Sequence, residues 1–434
     1  LRIGKSVIPR KMEPAHLLIL GAAGSGKSVL LNQLFQQINE RKTEDNPERV
    51  VVYDMKGEFI EKHYTETEGD YIFSPFDVRT VKWSFFNEIK TLPDFDVISK
   101  SLYISPDEKS EYWYNCAKDV FRTGLIYLHI TQQTTNKDIW KFFSGSLEDI
   151  KSAFNTLPLE ERGAIKHIDK SDATASANII SILQERLQFF RYLIDMDGDF
   201  SFKNYVRSKS TRNLYLLNID IYKDIFKPLI SLVVDTMIRE VLSLEDDLER
   251  RVFFMIDELG SLYKLESILD LVTVGRSKGA PLICANQDLG RLEKTYGEPN
   301  IKTFFNNFNS LVVFRINEPE SADYLSKAIG EQQLIRSTSN AQIAPSDFGD
   351  RKGFSEHEKL ERVIIPSELQ SFKDFEAILR VANYGIAKTK IPRKFFEKVN
   401  PHFIMKDFVL EKDDAAQQPA NHDNYFDYVS DLKI

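Results

Sequence analysis

The chain has 434 residues, a length typical of two to three domains. Hydrophobic residues make up 42% of it and charged residues 28%, which excludes global disorder and provides apolar material for a large core. The 57 basic and 65 acidic side chains give a formal net charge of −8, so any binding of nucleic acid or of an anionic membrane must rely on local basic groups.

The N-terminal residues and the cysteines bear on the cellular location of the protein. The chain begins at Leu1 without a signal peptide or a long apolar run, and we expect a soluble fragment whose natural N-terminus, with any membrane spans, has been removed. Cys116 and Cys284 lie far apart in the sequence without metal-type spacing. This pattern argues against a disulfide framework and against a zinc site, and it fits a reducing cytoplasm.

The first part of the chain alternates short buried strands with helices. Apolar runs predict strands over residues 16–20 and 49–54, and spacing of three and four predicts a helix over residues 26–40. A strand, helix, strand rhythm of this kind is typical of a parallel α/β sheet.

The middle of the chain has a different pattern. From about residue 88 to residue 197 the β-branched runs disappear, and the apolar spacing predicts long helices over residues 109–130, 138–154 and 172–192. Strands return at residues 213–218, 251–257, 281–286 and 310–315. The sheet therefore resumes after an all-helical interruption.

This order predicts one α/β domain that carries an inserted all-α domain. We expect the boundaries at residues 1–87 for the first part of the nucleotide-binding domain, 88–197 for the insertion and 198–410 for the second part. Residues 336–358 are polar and predict a long loop. Residues 411–434, with six acids and two lysines, predict an acidic, solvated tail.

The strongest motif lies between the first predicted strand and helix. Residues 21–28 read GAAGSGKS and fit the phosphate-loop pattern G-x-x-x-x-G-K-[ST] in its required context. Backbone N–H groups of such a loop surround phosphates, the lysine reaches the β- and γ-phosphates, and the final hydroxyl binds Mg²⁺. The predicted nucleotide-binding residues here are Gly21, Gly24, Ser25, Gly26, Lys27 and Ser28, with Ser28 also a metal ligand.

A second anchor for Mg²⁺ is predicted at the end of the strand over residues 251–257. Asp257 closes this buried run and is expected to hold Mg²⁺ through water. Glu258 follows it and is a candidate general base for the attacking water. Alone, such a pair also suits a helix cap, but beside a phosphate loop it indicates hydrolysis.

Two further polar residues follow strands of the same sheet. Gln287 comes just after the strand over residues 281–286 and is a candidate sensor of the γ-phosphate or of water, or else an amide cap. Asp54 ends the strand over residues 49–54, at the edge where open α/β sheets bind ligands, or else forms an ordinary turn. The sequence leaves both alternatives open.

Arg276 lies in the segment Gly-Arg-Ser-Lys-Gly over residues 275–279, where glycines expose a basic side chain. It is a candidate arginine finger within its own chain, a finger that reaches a neighbouring subunit, or a plain surface arginine. The base is expected to be adenine, because residues 136–138 do not give the N-K-x-D spacing that reads guanine.

Together these segments resemble the type IV secretion coupling proteins, and the TraD/TrwB group in particular. The resemblance runs in order from residues 8–9 to residues 364–368. Besides the phosphate loop it rests on YDMKGE at 53–58, SPFD at 74–77, WSFFNE at 83–88, IDEL at 256–259 and GR at 275–276.

The resemblance implies a RecA-like P-loop ATPase with an inserted all-α domain, using ATP and Mg²⁺. It implies a sensor role for Gln287 and a finger role for Arg276 on a neighbour's nucleotide. It further implies a homo-hexamer anchored in the bacterial inner membrane on its cytoplasmic face. Such a motor recruits relaxase-bound DNA, with accessory relaxosome proteins, and moves it to the channel of the secretion system.

Two other functions remain open at this stage. One is a receptor for protein effectors in which the nucleotide is only a switch, without DNA pumping. The other is a translocase of the chromosome-segregation or DNA-repair type, against which the segment over residues 83–88 argues.

Overall fold

The fold is described from a computed structural model that covers residues 1–169, 173–287, 289–342 and 351–407. The acidic segment predicted over residues 411–434 lies outside these described residues. No helix in the described ranges combines the length and the apolar character that a membrane crossing requires.

Within these ranges, nine strands form one central sheet in the order β13-β12-β9-β3-β8-β7-β4-β6-β5. Two separate antiparallel pairs, β1 with β2 and β10 with β11, lie outside it. The strands are β1 (Arg2–Ile3), β2 (Ser6–Val7), β3 (Leu17–Leu20), β4 (Glu48–Asp54), β5 (Tyr71–Phe73), β6 (Leu214–Leu217), β7 (Arg251–Ile256), β8 (Leu282–Asn286), β9 (Ser310–Val313), β10 (Glu331–Gln342), β11 (Arg351–Arg362), β12 (Glu376–Val381) and β13 (Gly385–Lys390).

The sheet is parallel from β9 to β5, and only β12 and β13 join antiparallel. Its inner strands are buried on both faces, as their continuous apolar sequences require. Successive residues of β3 alternate between two cores: Leu18 and Leu20 join one, and Leu17 and Ile19 join the other. This arrangement brings the carboxyl ends of seven strands to one edge.

Helices connect the strands and cover the sheet. Short 3-10 helices span Arg10–Ala15, Phe85–Glu88, Leu159–His167, Gln188–Tyr192 and Leu259–Ser261. The α-helices are α1 (Lys27–Arg41), α2 (Glu58–His63), α3 (Leu92–Leu102), α4 (Glu111–Ile130), α5 (Asn136–Phe143), α6 (Leu147–Asn155), α7 (Ala173–Leu187), α8 (Phe202–Arg207), α9 (Lys223–Ser243), α10 (Ile268–Val274), α11 (Gly290–Tyr296), α12 (Glu298–Asn307), α13 (Pro319–Ile329) and α14 (Pro366–Ser371).

The helices α3 to α7 interrupt the sheet between β5 and β6, and we call them the helical insertion. Glu88, only 3% exposed, joins the two chain segments that lead into and out of it. Its carboxylate accepts hydrogen bonds from Trp83 Nε1 at 3.0 Å and from the backbone N–H groups of Phe202 and Lys203 at 2.8 and 3.0 Å. Burial raises the pKa of Glu88, against the effect of these donors.

Two predicted helices differ from the structure. The helix predicted over residues 138–154 is two helices, because Ser146 caps a new helix by accepting a hydrogen bond from the Asp149 N–H. The helix predicted over residues 172–192 ends at Leu187 and continues as a 3-10 turn.

The loop predicted over residues 336–358 is wrong for the part that the structure describes. Strands β10 and β11 pair antiparallel from Glu331 opposite Arg362 to Gln342 opposite Arg351, and residues 343–350 lie outside the described residues. A two-stranded ribbon is held by backbone hydrogen bonds, so a polar sequence without apolar alternation gives no strand signal.

Candidate functional site

The phosphate loop occupies the turn from β3 to α1, as predicted. Gly24 and Gly26 adopt φ values of 74° and 120°, which L side chains rarely reach. A Cβ on Gly21 would lie 2.6 Å from the Cβ of Phe314, so a side chain there would displace the neighbouring strand. Glycine is therefore required at these positions by backbone conformation and by packing.

Lys27 is the first residue of α1 and is 7% exposed. Its ammonium group bends back into the loop and donates hydrogen bonds to the carbonyl oxygens of Gly21 and Ala22 at 2.5 and 3.0 Å. Ser28 follows in the first turn of the helix. Both side chains therefore lie where a helix N-terminus favours a bound anion.

The acid pair lies at the same edge of the sheet, two strands away from the loop. Strand β8 separates β3 from β7, and Asp257 comes directly after the last residue of β7. Burial first, and then the charges of Asp54 and Glu58, raise the pKa of Asp257 to about 6, although Lys27 acts in the opposite direction. The charges of Asp257 and of the loop lysine therefore act on each other across this edge, and a single carboxylate in this position suits a divalent cation held through water.

We expect Asp257→Asn to stabilise the metal-free protein above pH 6. The folded state holds the Asp257 proton to a higher pH than the unfolded chain does, so the wild type loses stability as the pH rises from about 4 to about 6. The difference approaches about 3 kcal/mol at pH 7 and vanishes near pH 4. Urea unfolding with EDTA at both pH values measures it. Equal stability differences at both pH values would show that Asp257 ionises normally.

Glu258 is 7% exposed and begins the turn that leads away from β7. Its backbone carbonyl accepts hydrogen bonds from the N–H and the Oγ of Ser261, at 3.1 and 2.7 Å. The Ser261 Oγ also lies 3.0 Å from the hydroxyl of Tyr53 on β4. The backbone of the candidate general base is therefore held by Ser261 in the following turn, and Ser261 is held in its turn by Tyr53 of β4.

Gln287 is exposed and follows β8 directly, between the phosphate loop and the acid pair. The preceding Asn286 is fully buried and links the two: its carbonyl accepts from the Gly21 N–H and its Oδ1 from the Gly260 N–H, each at 3.3 Å. Sequence reasoning missed Asn286. A polar residue at the last position of a buried strand was the available signal.

Asp54 lies at the same edge, where its side chain hydrogen-bonds to the backbone at the start of α2. It is 3% exposed, and its carboxylate accepts hydrogen bonds from four backbone N–H groups that begin α2. These donors are Lys56 at 3.1 Å, Glu58 at 3.2 Å, Phe59 at 2.8 Å and Ile60 at 3.4 Å. Burial raises the pKa of Asp54, which these backbone donors oppose.

We expect Asp54→Ala to lower the free energy of unfolding by about 1 to 2 kcal/mol, because α2 loses its cap. Asp54→Asn keeps one acceptor oxygen and should cost less. Chemical denaturation measures both variants, and ATP affinity is measured beside it. Weaker ATP binding with unchanged stability would instead assign Asp54 to the nucleotide.

Arg276 does not join these residues. It is exposed, it follows α10, and its turn lies beside the start of β7, where the Gly279 carbonyl accepts from the Val252 N–H at 3.1 Å. The phosphate loop lies beyond the other end of β8, whose five residues span roughly 17 Å. The fold thereby excludes a finger that acts on the nucleotide of its own chain.

Phe375 contacts the phosphate loop from far along the sequence and was also missed. Its N–H donates to the Ser25 carbonyl at 2.8 Å, and its ring lies 3.0 Å from where a Cβ on Gly26 would be. Phe375 has a φ of 69°, an unusual value for a bulky residue. No local pattern marks it, since the contact joins residues 350 positions apart.

A phosphate loop at the end of a parallel strand, with an acid pair two strands away, defines the class of P-loop nucleotide-binding proteins. A family model described as "Type IV secretion-system coupling protein DNA-binding domain" matches residues 1–392. The chain belongs to this family of type IV coupling proteins.

Individual relatives agree with this assignment. The chain is 25% identical over 419 residues to the coupling protein TraD of Escherichia coli K12, covering 94% of this chain and 56% of TraD. It is 24% identical over 323 residues to VirD4 of Rhizobium radiobacter, covering 69% and 46%. The chain thus spans about half the length of these curated relatives.

Solved structures of the plasmid coupling protein TrwB are similar over nearly the whole chain. The structure of TrwB with ADP and Mg²⁺ has a TM-score of 0.81 and 28% identity, and covers 94% of this chain and 92% of that one. The structure of TrwB with a non-hydrolysable GTP analogue has a TM-score of 0.79 and 27% identity, and covers 93% of this chain and 92% of that one. The predicted fold, a RecA-like P-loop α/β domain with an all-α insertion, is confirmed.

Proposed function

We propose that this chain is the motor part of an ATP-hydrolysing coupling protein of a conjugative type IV secretion system. In this role it recruits relaxase-bound DNA and moves it to the secretion channel. The observation that supports this most is the meeting of Lys27, Asp257 and Glu258 at one sheet edge, in a chain whose family match covers residues 1–392. Because the chain spans about half of its curated relatives, we propose the activity for this part in its full-length context.

The residues of the site divide the chemistry among them. Backbone N–H groups of the loop at Gly24, Ser25 and Gly26 would surround the phosphates, and Gly21, whose N–H donates to the Asn286 carbonyl, would hold the turn that presents them. Lys27 would exchange the carbonyl oxygens of Gly21 and Ala22 for phosphate oxygens. Mg²⁺, held by the Ser28 hydroxyl and through water by Asp257, would neutralise charge on the phosphates.

The residues that follow β7 and β8 would activate the attacking water. Glu258 would accept a proton from the attacking water as general base, from a backbone that Ser261 and Tyr53 hold in place. Gln287 would sense the γ-phosphate or orient the water from its position between the loop and the acids. Asp54 remains a candidate nucleotide contact, which the measurement on Asp54→Ala decides.

We infer that ATP is the nucleotide. TrwB has been solved with ADP and Mg²⁺ and with a non-hydrolysable ATP analogue, and also with a GTP analogue. Competition of ADP and GDP for a fluorescent ATP analogue tests the base. Equal affinity for both would contradict a preference for adenine.

A trans-acting finger requires neighbouring subunits. We propose a homo-hexamer, formed when the full-length protein is anchored on the cytoplasmic face of the bacterial inner membrane. Exposed Arg276 would then stabilise transition-state charge on a neighbour's nucleotide.

We further propose the division into residues 1–87 and 198–410 for the motor, 88–197 for the all-α domain and 411–434 for an acidic tail. The hydrogen bonds of Glu88 to Phe202 and Lys203 support an insertion whose two ends meet. The all-α domain would recognise DNA or the relaxosome, and the relaxase, its accessory proteins and the channel components would be the protein partners.

The decisive experiment measures ATP turnover against protein concentration, with and without single-stranded and double-stranded DNA. A motor ring predicts cooperative turnover that DNA stimulates. The second candidate, a nucleotide-switched receptor for protein effectors, predicts weak turnover that ignores DNA. If the full-length, anchored protein binds ATP and behaves in the second way, the motor proposal is wrong.

A further inference from the structure

A cleft of about 840 Å³ opens between the helical insertion and the carboxyl edge of the sheet. Its described lining includes the turn after Glu258 together with parts of α3, α4, α7, α9 and α11. Eight lysines and arginines line it against five aspartates and glutamates, although the whole chain has an excess of acids. The cleft is thus a local basic surface on an acidic protein.

Arg186, at the end of α7, is the most buried cation in this lining. It is 5% exposed, and its Nη2 donates to the Ile104 carbonyl and to the Tyr114 hydroxyl, both at 3.3 Å. Its Nε has no hydrogen-bond partner, and none of the ion pairs among the described residues includes it. A buried guanidinium stays charged, so the site is short of one anion.

Lys227 on α9 approaches the same place. Its ammonium lies 4.7 Å from the ring centre of Tyr263, and the guanidinium of Arg186 lies 4.2 Å from that centre. Burial lowers the pKa of Lys227, the charge of Arg186 lowers it further, and Asp224 acts in the opposite direction. Two cations therefore converge on one tyrosine, and a bound anion would relieve their repulsion.

The size and the charge of the cleft favour a nucleotide unit over a small free ion. The partly exposed ring of Tyr263 stands beside the two cations in a space larger than one phosphate requires, whereas Tyr103 and Tyr114 in the same wall are buried. A groove that combines several basic groups with an aromatic side chain is typical of sites that bind single strands through their phosphates.

We propose that this cleft binds single-stranded nucleic acid, with one backbone phosphate between Arg186 and Lys227. The inference rests on the proposed function, because it names where the motor would hold a strand. The cleft also lies close to the candidate general base, Glu258. Tyr263 comes five residues after Glu258, and Ser261 between them hydrogen-bonds the Glu258 carbonyl at 2.7 Å.

The test measures binding of a fluorescently labelled oligothymidylate at several salt concentrations, with ADP saturating the phosphate loop. We expect Arg186→Gln and Lys227→Gln each to weaken binding about tenfold and to reduce the slope of log affinity against log salt by about 1. Lys227 is partly exposed, so its variant stays informative if Arg186→Gln fails to fold. Lys302→Gln on the exposed face of α12 is the control and should bind as the wild type does.

Several results would overturn the proposal. Wild-type affinity and salt slope in both folded variants would show that the strand binds elsewhere. Displacement by AMP or inorganic phosphate as effective as by unlabelled oligothymidylate would assign the cleft to a free phosphate ligand. Equal displacement by polyglutamate would assign it to an acidic peptide.

ATP turnover separates this inference from the proposed function. We expect both variants to keep basal turnover and to lose its stimulation by single-stranded DNA. If DNA does not stimulate the wild type, but the variants still weaken oligothymidylate binding, the motor proposal fails while the strand site stands.

Discussion

Lys27→Ala is expected to lower ATP turnover by about 10²- to 10³-fold or more and to weaken binding of ATP and ADP. The ammonium group donates to the carbonyl oxygens of Gly21 and Ala22, and a phosphate oxygen pairs with it more strongly than a carbonyl does. Its position at the start of α1 adds the favourable field of the helix.

Turnover at saturating ATP and calorimetric titration with ADP and Mg²⁺ measure the two effects. Lys302→Ala, which removes an exposed lysine paired with Glu298 at 2.8 Å, is the matched control and should leave both unchanged. Because Lys27 is 7% exposed, urea unfolding must accompany the assay. A folded Lys27→Ala protein with normal turnover would contradict a phosphate role for this loop.

Arg276→Ala is expected to lower turnover by about 10³-fold while ATP affinity stays near that of the wild type. A finger stabilises charge that develops in the transition state, so its loss appears in the rate and not in ground-state binding. The fold places Arg276 at the edge of the sheet away from its own phosphate loop, and we therefore expect the effect to depend on neighbouring subunits.

Mixing the two inactive variants tests this dependence directly. A mixed ring contains sites that combine Lys27 of an Arg276→Ala subunit with Arg276 of a Lys27→Ala subunit. Turnover should reappear on mixing, under conditions in which the wild type assembles. If mixed subunits stay inactive while the wild type is active, Arg276 does not act in trans. Full activity of Arg276→Ala alone would make it a surface residue.

The phosphate loop could be predicted from the sequence because its chemistry is local. Eight consecutive residues carry the glycines, the lysine and the serine, and the flanking apolar patterns give the strand and the helix that hold them. Asp257 and Glu258 were predictable for a similar reason. A buried apolar run that ends in acids marks the carboxyl end of a strand, and parallel strands bring such ends to one edge of the sheet.

Other features had no local signal. The contact of Phe375 with Ser25 joins distant segments, and the ribbon of β10 with β11 depends on backbone pairing between polar sequences. The position of Gly145 and Ser146 between α5 and α6 was overlooked, since apolar spacing continues across the break. In each case tertiary or capping interactions outweighed the periodic pattern.

Short motifs and strand ends were sufficient to predict the P-loop α/β class and the candidate residues Lys27, Ser28, Asp257 and Glu258, because these features are local in the sequence. The distance of Arg276 from its own phosphate loop, and the approach of Arg186 and Lys227 to Tyr263 in one cleft, became visible in the three-dimensional fold alone. The order of strands and the packing of the insertion set those distances. They arise from contacts between residues far apart in the chain, which local periodicity does not record.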